Sequence, residues 1–206
     1  MTVDESIKAM PLQPDAVLSM FRESGALLEG HFRLTSGLHS SQYFQCAKVL
    51  QFPSYCEALC GDLASSFRGT AIDAVIAPAL GGIVVGQEVG RQLSVRTMFT
   101  ERSEGRMQLR RGFEIRPGER VLVCEDVVTT GGSVNEVIEI VTASGGKVVG
   151  AAYIVDRSGG RVRFPVVDGG LQRAVMTLTV VAHRPEECPL CKQGLPVVKP
   201  GSRGNA

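Results

Sequence analysis

Two adjacent acids, Glu125 and Asp126, stand in the segment VLVCEDVVTTGGSVNEVI (121–138), directly after four residues typical of a buried strand. The turn TTGGS (129–133) follows, and apolar residues then recur at helical spacing. Ligands of open α/β sheets bind beyond the carboxyl ends of the strands, where these acids stand. Backbone N–H groups of a small-residue turn before a helix can converge on an anion, and Ser133 is expected to cap that helix. The segment therefore predicts a phosphate cradle beside two carboxylates.

The two acids and the turn make different demands on a ligand. Carboxylates repel a neighbouring phosphate unless they bind another part of the same molecule. Glu125 and Asp126 are acceptors suited to two vicinal sugar hydroxyls, so a ribose 5-phosphate satisfies both demands. The alternative is that the acids are solvated and that the turn only connects a strand to a helix. The motifs GxxxxGK[ST] and GxGxxG are absent, which argues against nucleoside triphosphate and dinucleotide binding.

Strands alternate with helices on both sides of this segment. Continuous apolar runs predict strands at 73–77, 95–99, 120–124 and 147–156, and the 3.6-residue period predicts helices at 14–23, 54–67, 83–93 and 133–146. Repeated β-α-β alternation indicates an α/β fold with a Rossmann-like parallel sheet flanked by helices. Before it, residues 26–46 alternate extended segments with polar turns, which predicts a small N-terminal β-rich cap.

Length and charge exclude several classes of protein. The 206 residues suit one compact domain with a small appendage. The net charge of +1 provides no electrostatic footprint for nucleic acid. No stretch approaches the roughly 20 apolar residues of a membrane-spanning helix, and no secretory signal is evident. We therefore expect a cytoplasmic protein that binds neither nucleic acid nor membrane.

The chain divides into three regions by composition. We expect the N-terminal helix and cap at 1–50, the α/β core at 51–182 and a C-terminal tail at 183–206. The core contains a charged, glycine-punctuated insertion without a clean period, and insertions of this kind are more often functional than accidental. Residues 100–112 of this insertion are expected to form a mobile loop, part of which could be a hairpin.

The six cysteines are not expected to form a disulfide framework, because the chain is large enough to have an ordinary core. Four of them lie in apolar surroundings that predict reduced core residues: Cys46, Cys56, Cys60 and Cys124. Cys188 and Cys191 form a CxxC near His183, but a closed zinc site needs four ligands and no second CxxC exists. A plain structural tail is the favoured interpretation, with metal binding and a redox role as alternatives. His31 and His39 are expected to face solvent.

The segment with the two acids closely resembles the phosphoribosyl pyrophosphate signature of the type I phosphoribosyltransferases. Within that group, the chain is similar along nearly its whole length to the orotate phosphoribosyltransferases. LTSGLHSSQYFQC (34–46) resembles their N-terminal substrate segment, APALGGIVVG (77–86) their pyrophosphate loop, and YIVDRSGG (153–160) the aspartate and arginine that follow the next strand. The resemblance implies the type I phosphoribosyltransferase fold.

The resemblance also implies a reaction and its participants. Ribose 5-phosphate would pass from phosphoribosyl pyrophosphate to N1 of orotate, giving orotidine 5′-phosphate and pyrophosphate in pyrimidine biosynthesis. Mg²⁺ would be bound mainly through the substrate, so no dedicated metal ligand is assigned. The family usually works as a homodimer in which the loop of one subunit covers the site of the other. The alternatives are an enzyme for a purine or another base, and a non-catalytic regulator that senses phosphoribosyl pyrophosphate.

Each part of the site is assigned to residues of this sequence. The catalytic residues are expected to be Glu125, Asp126, Arg102 and Arg106. Phosphoribosyl pyrophosphate is expected to contact Glu125, Asp126, Val127, Val128, Thr129, Thr130, Gly131, Gly132, Ser133, Gly81 and Gly82. Orotate is expected to contact Thr129, Arg157, Ser36, Gly37, Tyr43 and Phe44.

Two departures from the family pattern concern basic residues. Orotate enzymes often have a lysine just before the SG pair and another in the pyrophosphate loop, where this chain has Thr35 and Gly81. Their mobile loop usually bears lysines and a histidine, whereas here the loop has Arg102, Arg106, Arg110 and Arg111. The positive charge is kept, but the identity of the proton donor is open.

Overall fold

A six-stranded sheet in the order β5-β4-β3-β6-β7-β8 forms the centre of the computed structural model, which describes residues 11–34, 36–167, 169–178 and 181–200. Its strands are β3 (Ala74–Pro78), β4 (Arg96–Ser103), β5 (Arg106–Leu109), β6 (Arg120–Val128), β7 (Lys147–Asp156) and β8 (Leu171–Thr177). All neighbours pair in parallel except β4 and β5, which form a hairpin. This confirms the predicted α/β architecture.

Helices cover both faces of the sheet because each presents an apolar stripe. Helices α3 (Pro53–Ser66) and α4 (Gly81–Leu93) pack on one face, where Leu63 and Val85 are fully buried. Helix α5 (Gly132–Ala143) packs on the other face through its valines and isoleucines. Burial on both faces explains why β3 and β7 are almost continuously apolar. No helix in the described ranges is long and apolar enough to cross a membrane.

A second, three-stranded sheet in the order β1-β2-β9 forms the N-terminal cap, together with helix α1 (Pro14–Glu23) and the short helix α2 (Cys46–Leu50). Strands β1 (Leu27–Arg33) and β2 (His39–Phe44) form the expected hairpin. The third strand, β9 (Ala182–His183), pairs with β2 and is followed by helix α6 (Pro189–Lys192). The start of the tail therefore belongs to the cap sheet, although the sequence analysis separated the cap (1–50) from the tail (183–206). Thr35 lies outside the described residues.

The charged insertion is an ordered β-hairpin in this structure. Thr100 pairs with Leu109, and Ser103 pairs with Arg106. The Glu136 carboxylate on α5 accepts hydrogen bonds from Arg102 Nη2 at 2.7 Å and from the Met107 backbone N–H at 3.3 Å. The hairpin thus extends the sheet edge and rests on the amino-terminal half of α5.

Candidate functional site

Glu125 and Asp126 lie near the carboxyl end of β6. This strand extends to Val128, four residues beyond the end at residue 124 that the sequence predicted. Glu125 is only 8% exposed, so it is not a solvated loop residue. Its Oε1 accepts a hydrogen bond from the Asp126 backbone N–H at 3.0 Å. Asp126 Oδ1 in turn accepts one from the Val127 N–H at 2.8 Å. Both side chains are therefore fixed by the backbone, and each keeps a second oxygen for a ligand.

Burial raises the pKa of Glu125 to about 9, and the negative charge of Asp126 acts in the same direction. Desolvation destabilises a carboxylate, and a like charge alongside adds to that cost. Glu125 is therefore protonated at neutral pH in the free protein. In that form it can donate a hydrogen bond to a sugar oxygen as well as accept one.

This pKa makes the stability of the free protein depend on pH. Because the folded-state pKa lies above the unfolded value, the native state binds more protons between about pH 4.5 and 9. Stability is therefore greatest below this window and falls as pH rises through it, by at most about 1.4 kcal/mol per pH unit for one proton. Glu125→Gln should remove this contribution. Thermal denaturation from pH 5 to 9 should show a shallower decline for the variant, and equal slopes would contradict the burial effect.

Gly81 and Gly82, at the start of α4, face the two carboxylates. A Cβ built on Gly81 would overlap Asp126 Oδ2, and one on Gly82 would lie 3.0 Å from Glu125 Oε1. Any side chain at position 81 would therefore displace Asp126. The loop backbone and the two acids border one space.

The turn after β6 opens directly into α5. Gly131 is the residue before the helix and has φ = 78°, and a Cβ there would lie 2.8 Å from atoms of both Val162 and Phe164. Glycine is thus required by conformation and by packing. The first N–H groups of α5 have no partner within the helix and are free to bind an anion. Ser133 was expected to cap the helix, but this is wrong: it lies inside α5, which has no side-chain cap.

Most of the residues predicted to contact phosphoribosyl pyrophosphate line one concave surface, but Asp126, Gly81 and Gly82 are not among its lining residues. A small pocket is lined by Glu125, Val127, Val128, Thr129, Thr130, Gly131, Gly132 and Ser133. Thr129 and Thr130 are exposed, while Val128 is buried. Because Val128 is in the core, its side chain cannot contact a ligand, and any contact from this position must come from its backbone.

Arg157 lies beside the acids, in the loop after β7. Its backbone N–H donates to the Val128 carbonyl at 2.7 Å, which joins this loop to the end of β6. Burial lowers the pKa of the guanidinium, and the nearby Tyr43 and Cys46 act in the opposite direction. Its Nε is buried and has no hydrogen-bond partner among the described residues. A partly buried guanidinium with an unused donor is suited to a planar carboxylate.

The cap contributes unequally to this site. Tyr43 is half-buried and lies close enough to Arg157 to raise the pKa of its guanidinium. Phe44, the next residue on β2, faces the core instead and packs against Phe21 with a ring-centroid distance of 6.2 Å. Ser36 is exposed, and both Ser36 and Gly37 lie in the β1–β2 turn at the opposite end of β2 from Tyr43. Of the predicted orotate contacts in the cap, the structure places Tyr43 near Arg157. Phe44, Ser36 and Gly37 lie elsewhere.

Two residues near the acids were not identified from the sequence as part of the site. Cys46 Sγ lies 3.9 Å from the Asp126 carbonyl oxygen, so α2 contacts the strand end. Asp156 is 4% exposed, and its two oxygens accept hydrogen bonds from the Ser158 and Gly160 N–H groups, which shapes the loop that carries Arg157. Asp156 was recognised within YIVDRSGG, so the resemblance contained a signal for it.

The predicted catalytic arginines lie on the hairpin. Arg102 is paired with Glu136, and Arg106 is exposed at the start of β5. Arg110 and Arg111 both approach Glu101, at 3.8 and 3.0 Å. In this conformation Arg102, Arg110 and Arg111 pair with carboxylates of their own chain.

Comparisons with known proteins agree with this architecture. Residues 54–169 match the family described as the phosphoribosyl transferase domain. The orotate phosphoribosyltransferase of Chlorobaculum parvum is 60% identical over 189 residues, which cover 92% of this chain and 96% of that protein. The solved orotate phosphoribosyltransferase of Aeropyrum pernix has a TM-score of 0.64 at 28% identity, covering 79% of this chain and 93% of that one. The adenine phosphoribosyltransferase of Rhodothermus marinus shares the fold alone, with a TM-score of 0.64 at 21% identity and coverage of 80% and 99%.

The parallel sheet, the strand-end acids and the glycine turn, together with the match over 54–169, define a phosphoribosyltransferase. The similarity to the Chlorobaculum parvum enzyme extends beyond this domain into the cap and tail. The chain belongs to the orotate phosphoribosyltransferase family.

Proposed function

We propose that Glu125 and Asp126 bind the ribose hydroxyls of phosphoribosyl pyrophosphate while residues 129–133 bind its 5′-phosphate. The chain is an orotate phosphoribosyltransferase, a glycosyltransferase of pyrimidine biosynthesis. In its reaction the C1–oxygen bond to pyrophosphate breaks as N1 of orotate bonds to C1. The ribose gains oxocarbenium character in between, so positioning and charge stabilisation provide the catalysis. The placement of two backbone-fixed carboxylates beside the N-terminus of α5 is the observation that supports this assignment.

We assign orotate to the space between Arg157 and Tyr43. The unpartnered Nε of Arg157 suits a bidentate contact with the orotate carboxylate, which purine bases lack. Tyr43, on the strand beside it, provides an aromatic wall, and Thr129 lies at the adjoining strand end. Phe44 would then stabilise the cap from the core side without touching the base. Ser36 and Gly37 would reach substrate only if the cap hairpin moves.

Mg²⁺ fits the oxygen donors at this site. The Asp126 Oδ2 side faces Gly81, where no side chain intervenes, and such a space suits a pyrophosphate with its cation. Mg²⁺ prefers phosphate oxygens, water and few protein carboxylates, so the substrate would provide most of its ligands. When bound, it would neutralise charge on the departing pyrophosphate. Asp126 would be the protein carboxylate closest to such an ion, and Glu125 would join it only on losing its proton.

The loop arginines would complete the site in a homodimer of a cytoplasmic enzyme. Arg102 and Arg106 lie on a hairpin that contacts α5 through the exposed Arg102–Glu136 ion pair, the Met107 N–H bond to Glu136 and apolar packing of Met107 and Leu109. Exposed ion pairs are weak enough to exchange. The loop could therefore leave Glu136 and bring positive charge to pyrophosphate, excluding water as it closes. By the family's usual arrangement, the pocket it covers belongs to the partner subunit.

The test of the base assignment is the substitution Arg157→Ala. Wild-type protein with phosphoribosyl pyrophosphate and Mg²⁺ should deplete orotate, measured by its ultraviolet absorbance, and should not consume adenine. The variant should have a KM for orotate raised by about 100-fold, because a lost charged hydrogen bond costs about 1.5–3 kcal/mol. The KM for phosphoribosyl pyrophosphate should change little.

Arg163→Ala is the matched control, because Arg163 is exposed in the same loop and bonds only to nearby carbonyls. It should leave both Michaelis constants unchanged. If Arg157→Ala raised the KM for orotate and the KM for phosphoribosyl pyrophosphate equally, Arg157 would not be a residue of the base pocket. If the wild-type protein consumed adenine but not orotate, the assignment of orotate as the base would be wrong.

A further inference from the structure

Four metal-ligating side chains converge where the C-terminal tail meets the cap, away from the acids of β6. They are His31 of β1, His39 of β2, Cys188 before α6 and Cys191 within it, and their ligand atoms all lie within 4.8 Å of one another. His31 is 5% and His39 7% exposed, so the expectation that they face solvent is wrong. Cys188 is fully buried, whereas Cys191 is exposed.

Four of the six separations between these ligand atoms are close to those of a tetrahedral site. His31 Nε2 lies 3.6 Å from both Cys188 Sγ and Cys191 Sγ, His39 Nδ1 lies 3.2 Å from Cys191 Sγ, and the two ring nitrogens are 2.9 Å apart. With metal bonds of about 2.3 Å to sulfur and about 2.0 Å to nitrogen, tetrahedral ligand atoms are separated by about 3.3–3.8 Å. The two imidazoles would have to separate by a few tenths of an ångström. The separations of Cys188 Sγ from Cys191 Sγ and from His39, which are at most 4.8 Å, would close to this range around the ion.

The His31 tautomer is the one that binds a metal. Its Nδ1 lies 2.8 Å from the Leu195 carbonyl oxygen, which can only accept, so Nδ1 carries the proton. Nε2 therefore presents its lone pair to the two sulfurs and to His39. A ligating histidine usually donates its other N–H to a carbonyl or carboxylate in this way. The carbonyl comes from the tail itself, four residues after Cys191.

We propose that His31, His39, Cys188 and Cys191 bind one structural Zn²⁺ that fastens the tail to the N-terminal cap. A closed Cys₂His₂ set favours zinc, because two thiolates and two imidazoles leave no open position for substrate. The second pair of ligands that the CxxC lacked in the sequence comes from the cap hairpin, more than 140 residues earlier. The tail also bonds to β1 beside the site: Val198 N–H donates to the His31 carbonyl, and Arg33 N–H donates to the Val198 carbonyl, both at 2.8 Å.

Zinc at this position would hold the cap at the end remote from the base. His39 begins β2 and Tyr43 lies four residues along the same strand, so the metal would limit movement of the strand that carries Tyr43. It would also protect β9, which is only two residues long and pairs weakly by itself. The metal would take no part in catalysis.

Metal analysis of the full chain tests this proposal. Protein purified under reducing conditions, without added chelator, should contain about one zinc ion per chain by plasma mass spectrometry. Exchange with Co²⁺ should give the visible bands of a tetrahedral ion and a near-ultraviolet thiolate charge-transfer band. Cys191→Ser should weaken zinc binding by more than about 100-fold, because even loss of an outer partner of a ligand costs about 10–100-fold.

Two matched controls separate the site from general thiol or imidazole binding. Cys56→Ser alters a pair of cysteines whose sulfurs are 4.0 Å apart without contributing a ligand to the cluster, and His183→Gln removes the histidine that pairs with His39 in the sheet but lies outside the cluster. Both should keep zinc. Folded wild-type protein that neither contains nor takes up zinc would overturn the proposal. So would a Cys188–Cys191 disulfide formed in place of metal binding, or zinc retained by both Cys191→Ser and His39→Gln.

Discussion

Asp126→Asn should fold normally and lose turnover by a factor on the order of 10²–10³, the usual cost of removing one preorganised group that stabilises developing charge. The amide oxygen can still accept the Val127 N–H hydrogen bond, so the strand end keeps its shape. The negative charge beside the ribose is lost, however, and with it the strongest acceptor for a sugar hydroxyl. Steady-state rates of orotate consumption measure the effect.

Glu139→Gln is the control for this substitution. Glu139 lies on the exposed face of α5 and forms no ion pair within the described part of the chain, so its variant should retain wild-type turnover. Circular dichroism and thermal denaturation should show that both variants are folded. Near-normal activity of Asp126→Asn would mean that the acids do not bind the ribose.

The double variant Arg102→Ala, Arg106→Ala should be nearly inactive, yet it should restore activity to Asp126→Asn when the two proteins are refolded together. The double variant has an intact pocket and a defective loop, whereas Asp126→Asn has an intact loop and a defective pocket. The two defects complement each other if the loop of one subunit covers the pocket of the other. Random pairing gives about half mixed dimers, each with one intact pocket facing one intact loop, so activity should reach about a quarter of wild type. Native mass spectrometry checks that the subunits have exchanged.

A chain that carries all three substitutions provides the control. Mixed with wild type, it leaves a wild-type pocket facing a defective loop, so a loop acting across the interface gives about a quarter of the activity and a loop acting within its own chain gives about half. If mixed dimers of the two separate variants form but remain inactive, the loop acts only on the pocket of its own subunit. If the protein forms no dimer, the loop cannot act across an interface.

The central elements could be predicted because their patterns are local. Strand 147–156 was predicted with the bounds of β7, and helix 14–23 with those of α1. A strand buried on both faces reads as one apolar run, and a helix on the sheet repeats its apolar residues with the period of its turns. The acids and the glycine turn were found for the same reason, since both lie in one stretch of 18 residues.

Other elements depend on contacts between distant residues. Strand β8, LQRAVMT, is only half-buried along most of its length and alternates weakly, so nothing in its own residues distinguishes it from a loop. Strand β9 exists because β2 offers it an edge. The steric need for Gly81 comes from Asp126, 45 positions later, and the burial of His31 comes from Cys188 and Cys191. Ser133 shows the opposite error, because this favourable capping residue lies two residues after the true N-cap, Gly131.

The pairing of β9 with β2 affects the order in which the molecule can be assembled during translation. His39 finds its partner His183 only after 144 further residues have been synthesised. The core sheet has all its strands by Thr177, so it can close while the edge of β2 is still uncovered. Uncovered edges invite pairing with other chains, and long-range contacts form slowly because of the entropy of closing the intervening loop. The cap hairpin leaves the ribosome before the core, yet its sheet is completed after the core sheet.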